Sequence, residues 1–186
     1  MDEWNYWYGT PIFGELGSRY FLRDALGIAA GLNEYSRQSD IIFMANYAQT
    51  VNVIGCIKTS GADAAFETTG LVLKLYRREF GSLPVAATAG KPLDVAAAWT
   101  ADHKTLTISI VNPTFERLEL PLKLNGATLR GPVRRWQIAG SDPLAFNEPG
   151  KAAKVVIESA DEPSAADRLW VAPCSVTLYA LSQDSP

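Results

Sequence analysis

The stretch DEWNYWY sets two carboxylates, Asp2 and Glu3, beside Trp4, Tyr6, Trp7 and, one position further, Tyr8. A carboxylate among indole and phenol rings suits a sugar, because the aromatic faces stack on the apolar side of the ring while the acid does the chemistry. From composition alone a plainer reading is favoured: Trp4 and Trp7 belong to a core and Glu3 is a surface charge. Other reactive types are sparse. His103 is the sole histidine and sits in the turn TADHK, which leaves nothing to build a Ser-His-Asp arrangement. Cys56 and Cys174 make no metal-type spacing with it and read as buried free thiols. No glycine-rich phosphate loop is present, and no cofactor or metal is implied.

The elements that would position Glu3 change character near Gly81-Ser82-Leu83-Pro84. Before that point the pattern is α/β. Leu22, Ala25, Leu26, Ala29 and Leu32 form one apolar stripe, which predicts a helix from about Phe21 to Arg37. IIFMANY (Ile41 to Tyr47) is nearly continuous in apolar residues and predicts a strand buried on both faces. A second helix is expected from about Ala64 to Phe80, with Leu71, Val72 and Leu75 inward and Gly81 as its C-cap. The first βα unit has its helix but almost no strand, since only Met1 and Asp2 precede Glu3. This half reads as part of something larger, with Glu3 and MANYAQTVN at the same carboxyl edge of a sheet.

From Leu93 the period becomes two. KTLTISIVN directs Leu106, Ile108 and Ile110 one way and Thr105, Thr107 and Ser109 the other, and RLELPLKL repeats the pattern. VRRWQIA, AKVVIES and CSVTLYAL add short strands between turn signals, which predicts an antiparallel sandwich. SADEPSAAD (Ser159 to Asp167) reads as a solvated connection.

DEWNYWYG, LRDALGIAAGLNEYSRQSDIIFMANYAQTVNVI and TTGLVLKLYRREFG together resemble the last quarter of the catalytic barrel of α-L-arabinofuranosidases of glycoside hydrolase family 51. PLDVAAAWTADHKTLTISIVNPT resembles the start of the sandwich that follows it. The resemblance implies the last two βα units of an incomplete (β/α)8 barrel over residues 1–83 and a carboxyl-terminal antiparallel β-sandwich over 84–186. It implies Glu3 as the nucleophile of a retaining mechanism on terminal non-reducing α-L-arabinofuranosyl units. Trp7 then borders the sugar and Gln49 bonds its hydroxyls, while Asn46, on the same turn, supports them or touches the sugar itself. Tyr47 either floors the site or simply packs, and Asp2 has a strand-end role.

Retaining hydrolysis needs a second carboxyl group about 5 Å from the nucleophile. In the family it lies in an Asn-Glu pair on a strand that these residues do not include. Asn33-Glu34 falls inside the first helix and Asn147-Glu148 in a sandwich turn, so the acid/base is expected outside this chain.

Composition narrows the alternatives. The 186 residues carry a net charge of −3, with Lys and Arg scattered, which gives no basic stripe for nucleic acid. No apolar run reaches the roughly 18 residues of a membrane-spanning helix. The acidic, polar-aromatic start lacks the pattern of an export signal, and cytoplasmic and secreted locations are both open. The expected partner is an arabinofuranosyl-containing oligo- or polysaccharide; the oligomeric state is open, although members of the family it resembles commonly assemble into homo-oligomers. The competing reading is a non-catalytic carbohydrate-binding or structural sandwich, with Trp99, Trp136 and Trp170 as a flat platform.

Overall fold

The structure, a computed structural model, describes residues 1–7, 17–129, 131–162 and 167–182. Helix α1 (Leu22–Arg37) follows the expected stripe: Leu22, Ala25, Leu26 and Ala29 are buried and Leu32 packs at their edge. Its start is fixed by Asp24, whose carboxylate accepts the Phe21 amide N–H at 2.7 Å, one half of a capping box. Ile28 and Asn33 are buried too, so the inward face is wider than the stripe.

The second helix is shorter than expected. Residues 64–66, read as its beginning, belong to β2 (Asp63–Phe66), the antiparallel partner of β1 (Ile57–Ser60). Gly61 turns this hairpin at a φ of +57°, a backbone state glycine adopts without steric cost. Helix α2 spans Thr68–Glu79, and its C-cap is the extended Phe80 rather than Gly81. Gly81 serves close approach instead: a Cβ there would stand 2.5 Å from the Trp99 carbonyl oxygen.

The run Ile41 to Tyr47 is not a strand. Ile41, Phe43 and Met44 are exposed, Phe43 fully so at 99 %. Among the described residues its one bridge is the isolated parallel pair Tyr47–Trp4. A strand buried on both faces needs covering layers and neighbours on both sides, and the described residues give it a backbone partner on one side only.

The remainder is antiparallel sheet: β3 (Leu83–Val85), β4 (Asp94–Trp99), β5 (Thr105–Asn112), β6 (Leu118–Pro121), β7 (Val133–Ala139), β8 (Glu158–Glu162), β9 (Arg168–Val171) and β10 (Ser175–Ser182). Six strands form one sheet in the order β3-β4-β5-β10-β7-β8, and β6 pairs β9 in a second. Pro121 closes β6 without an N–H to donate, and the next residue, Leu122, still bonds across to Asp167 O at 2.7 Å. The strand expected from AKVVIES starts later, at Glu158. Ser159–Glu162 therefore pair with β7 as an edge strand instead of lying in a solvated connection, and Glu162 receives the Arg135 guanidinium at 2.6 Å. Residues 163–166 of that stretch lie outside the described residues.

Alternation along β5 is as expected, but neither face meets water. Leu106, Ile108 and Ile110 pack with Leu169, Val171, Tyr179 and Leu181 between the two sheets. The opposite face lies under the helices, where Val111, Ile138, Val176 and Leu178 join Leu22, Ile28, Val72 and Leu75 in one core. Helices, six-stranded sheet and two-stranded sheet thus form three layers.

Candidate functional site

Residues 1–4 run parallel to residues 44–48. The Met1 ammonium donates to Met44 O at 3.1 Å, Asn46 N–H to Met1 O at 3.4 Å, Trp4 N–H to Asn46 O at 3.0 Å and Ala48 N–H to Trp4 O at 3.1 Å. This pairing brings Glu3 alongside Asn46 and sets Gln49 one residue past its last bond. The glycines of α1 hold the segment in place. The Trp4 ring lies over Gly31, with a Cβ there 3.3 Å from its edge, and the Tyr6 hydroxyl fills the space a side chain at Gly27 would need. Gly27 and Gly31, four apart, share one helix face. Tyr35 and Tyr47 meet the Trp4 ring edge-on at 5.0 and 5.6 Å.

Tyr47 therefore packs: its hydroxyl donates to Thr69 Oγ1 at 3.1 Å, and burial raises its phenol well above the ordinary value. Trp4 belongs to the core edge, as the plainer reading has it, while Trp7 is 70 % exposed. Glu3, Asn46 and Gln49 are also exposed. The Glu3 carboxylate makes no hydrogen bond or ion pair among the described residues. Tyr8 lies outside the described residues.

The loop after Gln49 is tightly anchored. Gln49 O accepts Cys56 N–H at 3.2 Å and Thr50 O accepts Ile57 N–H at 3.0 Å. Asn52 and Val53 are both left-handed, at φ of 54° and 48°, a costly state for a β-branched residue. Val53 O accepts Ser18 N–H at 2.7 Å and the buried Lys58 ammonium at 3.0 Å, and Lys58 also reaches Gly55 O at 3.2 Å. Asn5 Nδ2 donates to Ala48 O at 2.7 Å and to Ile54 O at 2.6 Å. Beneath the loop, Glu67 is buried and accepts Tyr20 N–H at 3.2 Å. Burial pushes its carboxyl up to about 7, against the pull of Lys58, whose own ammonium burial shifts down. Both line a cavity of about 210 Å³ with Arg19, Asn147, Glu148 and Lys151. Lys58, Glu67 and Tyr20 lie in no sequence motif, and Asn5 lies within DEWNYWY but carries no reactive group that marks it.

Neither Asn-Glu pair offers a free second acid. Glu34 is on α1, bonded to Arg37 at 2.8 Å, and Asn33 donates to Asp94 at 2.7 Å. Glu148 holds Arg19 and Lys151, while Asn147 is buried and bonds the backbone of Lys154 and Val155. The tryptophans form no common platform: Trp99 packs on the between-sheet core, Trp136 on the helix-side core, and Trp170 lies on the second sheet beneath Arg117. His103 is exposed in the β4–β5 turn, and both cysteines are buried free thiols. Among the described residues no group of three metal-type ligands occurs and no helix is long and apolar enough to cross a membrane.

The described residues thus form a mainly β structure with two helices on its six-stranded sheet, and the exposed Glu3 stands beside a loop paired to its segment. Residues 2–182 match the family model described as the alpha-L-arabinofuranosidase C-terminal domain, and the chain belongs to that family. Probable alpha-L-arabinofuranosidase C of Aspergillus flavus is 29% identical over 180 residues, which cover 86% of this chain and 35% of that protein. Its counterpart in Aspergillus clavatus is 31% identical over the same shares. The crystal structure of the alpha-L-arabinofuranosidase of Thermotoga maritima in complex with arabinose shares the fold, with a TM-score of 0.81 at 23% identity over 97% of this chain and 42% of that one. The chain spans about a third of the length of the curated relatives it matches.

Proposed function

We propose that residues 1–83 are the last two βα units of a (β/α)8 barrel, that residues 84–186 are the sandwich following it, and that the chain is the nucleophile-bearing portion of a retaining α-L-arabinofuranosidase. The observation that carries this reading is the parallel pairing of residues 1–4 with 44–48, each stretch leading to a helix. Parallel neighbours joined through a helix are the βα arrangement. The exposed side chains of Ile41, Phe43 and Met44 suit a strand end that further barrel elements cover. Glu3, Asn46 and Gln49 then stand at neighbouring strand ends, where barrel enzymes carry their chemistry.

In this reading a Glu3 carboxylate oxygen attacks the anomeric carbon of a terminal α-L-arabinofuranosyl unit. The glycosidic C–O bond breaks as an acid outside these residues protonates the leaving oxygen. Water, giving its proton to that same group, then attacks the glycosyl ester and restores the Glu3 carboxylate, so arabinose leaves with retained configuration. Trp7 borders the ring, Gln49 bonds its hydroxyls, and Asn46 supports the turn.

The test is turnover of 4-nitrophenyl α-L-arabinofuranoside by the longest natural product that carries these residues. Glu3→Gln is expected to lower it by about 10⁴-fold or more, and the 186-residue chain alone is expected to show none. A Glu3→Gln enzyme with a near-normal rate ends the assignment.

A further inference from the structure

We propose that Asn5 is a positioning residue, its carboxamide fastening the segment that carries Glu3 and Trp7 to the loop that carries Gln49. The functional meaning rests on the role proposed for Glu3; the fastening itself does not. Asn5 Nδ2 faces three oxygens: Ala48 O at 2.7 Å, Ile54 O at 2.6 Å and Tyr20 Oη at 2.9 Å. Two of these are carbonyls, which can only accept, so the atom facing them is the NH2 and its two hydrogens are shared among three acceptors. The other end of the amide is used as well, since Asn5 Oδ1 accepts Tyr6 N–H at 2.7 Å.

Ala48 and Ile54 are the two stems of one loop, and Gln49 and the left-handed pair Asn52-Val53 lie between them. One side chain therefore grips both stems while its own backbone sits two residues from Glu3 and two from Trp7. Tyr20 extends the grip. Its phenol, whose proton burial retains, donates toward Tyr6 O at 2.8 Å and lies 3.1 Å from Ile54 O. The side chains of Glu3 and Gln49 make no hydrogen bonds of their own among the described residues. Their mutual placement accordingly depends on the backbones that carry them, which is where supporting contacts set the geometry of a site.

The chemistry demands an amide. Aspartate has the same shape but no donor, and it would turn carboxylate oxygens toward the carbonyls of Ala48 and Ile54. Alanine leaves both carbonyls without this donor. The loop then keeps its bonds to Lys58 and Ser18, the Ala48 N–H bond to Trp4 O and the Tyr20 hydroxyl between Tyr6 O and Ile54 O, but loses the one side chain that joins both of its stems to the Glu3 segment.

Two measurements test this. In the 186-residue chain, amide hydrogen exchange of Asn5→Ala is expected to rise about tenfold or more at Ala48, Asn52 and Cys56, with α1 and β10 unchanged. Should the alanine variant unfold, Asn5→Asp, which fits the same space, is expected to raise exchange at the same three amides. In the longest natural product, Asn5→Ala is expected to lower kcat by about 100-fold, the cost of an ångström-scale misplacement, with a much smaller change in KM. Unchanged exchange in the loop of a folded variant overturns the fastening. Normal kcat for Asn5→Ala in an enzyme that Glu3→Gln inactivates overturns the positioning role alone, whereas activity in Glu3→Gln removes the Glu3 assignment and leaves the exchange result to judge the tie.

Discussion

The carbonyl oxygen of Cys56 occupies the space that a Cβ on Gly70 would fill. The same oxygen accepts Glu67 N–H at 2.9 Å, so the end of the Gln49 loop is bonded to the N-cap of α2 and pressed against its first turn. Helix propensity alone favours alanine over glycine by about 1 kcal/mol. Here the obstacle is backbone, which cannot rotate aside, and overpacking of this kind costs about 1–3 kcal/mol. Gly70→Ala is therefore expected to destabilise the chain in urea unfolding. A gain in stability would show that the loop does not lie on the helix.

Glu67 gives a pH dependence whose sign is fixed by its environment. Its carboxyl is raised from an ordinary 4.5 to about 7, chiefly by burial, so the folded chain holds a proton there that the unfolded chain has already released. This contribution is full below about pH 4.5 and is lost as pH rises through 7. Glu67→Gln, neutral throughout and still able to accept Tyr20 N–H, is expected to flatten stability between pH 5 and 8. The check is urea unfolding of both proteins across that window; parallel profiles would mean that Glu67 ionises freely in the folded chain.

The helix-to-sheet contact supplies a third expectation. The buried Tyr76 hydroxyl bonds Asn33 Oδ1 at 2.8 Å and the Ser109 hydroxyl, and Asn33 passes the chain on to Asp94. Tyr76→Phe leaves Asn33 Oδ1 without that donor in a dry layer, at a cost of about 1–3 kcal/mol. Calorimetry should register a lower melting temperature with no change in secondary structure, and an unchanged one would place this network in water.

Much of this was legible from spacing. The stripe of α1 and the alternation of β5 are periodic signals, and they locate their elements closely. What periodicity could not tell was what covers Thr107 and Ser109, because the same alternation describes a face turned to water and a face turned to a tyrosine hydroxyl or to Gly81 N–H. Gly81 itself reads as a helix cap when its use is to let backbones meet. The Ile41 to Tyr47 run carries the composition of a buried strand, but burial depends on neighbours, and among the described residues only the short segment Met1 to Trp4 lies alongside it. In the candidate site, Glu3, Asn46 and Gln49 stand out through their motifs. Lys58 and Glu67, an isolated lysine in a short hairpin and a glutamate before a helix, carry no pattern that distinguishes them from surface charges.

The Asn52-Val53 turn sets a last prediction. Val53 holds φ at +48°, where an L side chain costs about 1–2 kcal/mol, and a β-branched one has least room. Its side chain is 44 % exposed, so truncation sacrifices little burial. Glycine removes the steric cost but loses about 0.5–1 kcal/mol through the freedom it gains when unfolded. Val53→Gly is accordingly expected to be neutral or to stabilise by up to about 1 kcal/mol, whereas Val53→Ala, which keeps a Cβ, is expected to recover less. Comparing the two by urea unfolding isolates the backbone contribution from the packing one. A glycine variant less stable than the alanine variant would mean that Val53 does not occupy the left-handed region, and with it would go the geometry that aims Val53 O at Lys58 and Ser18.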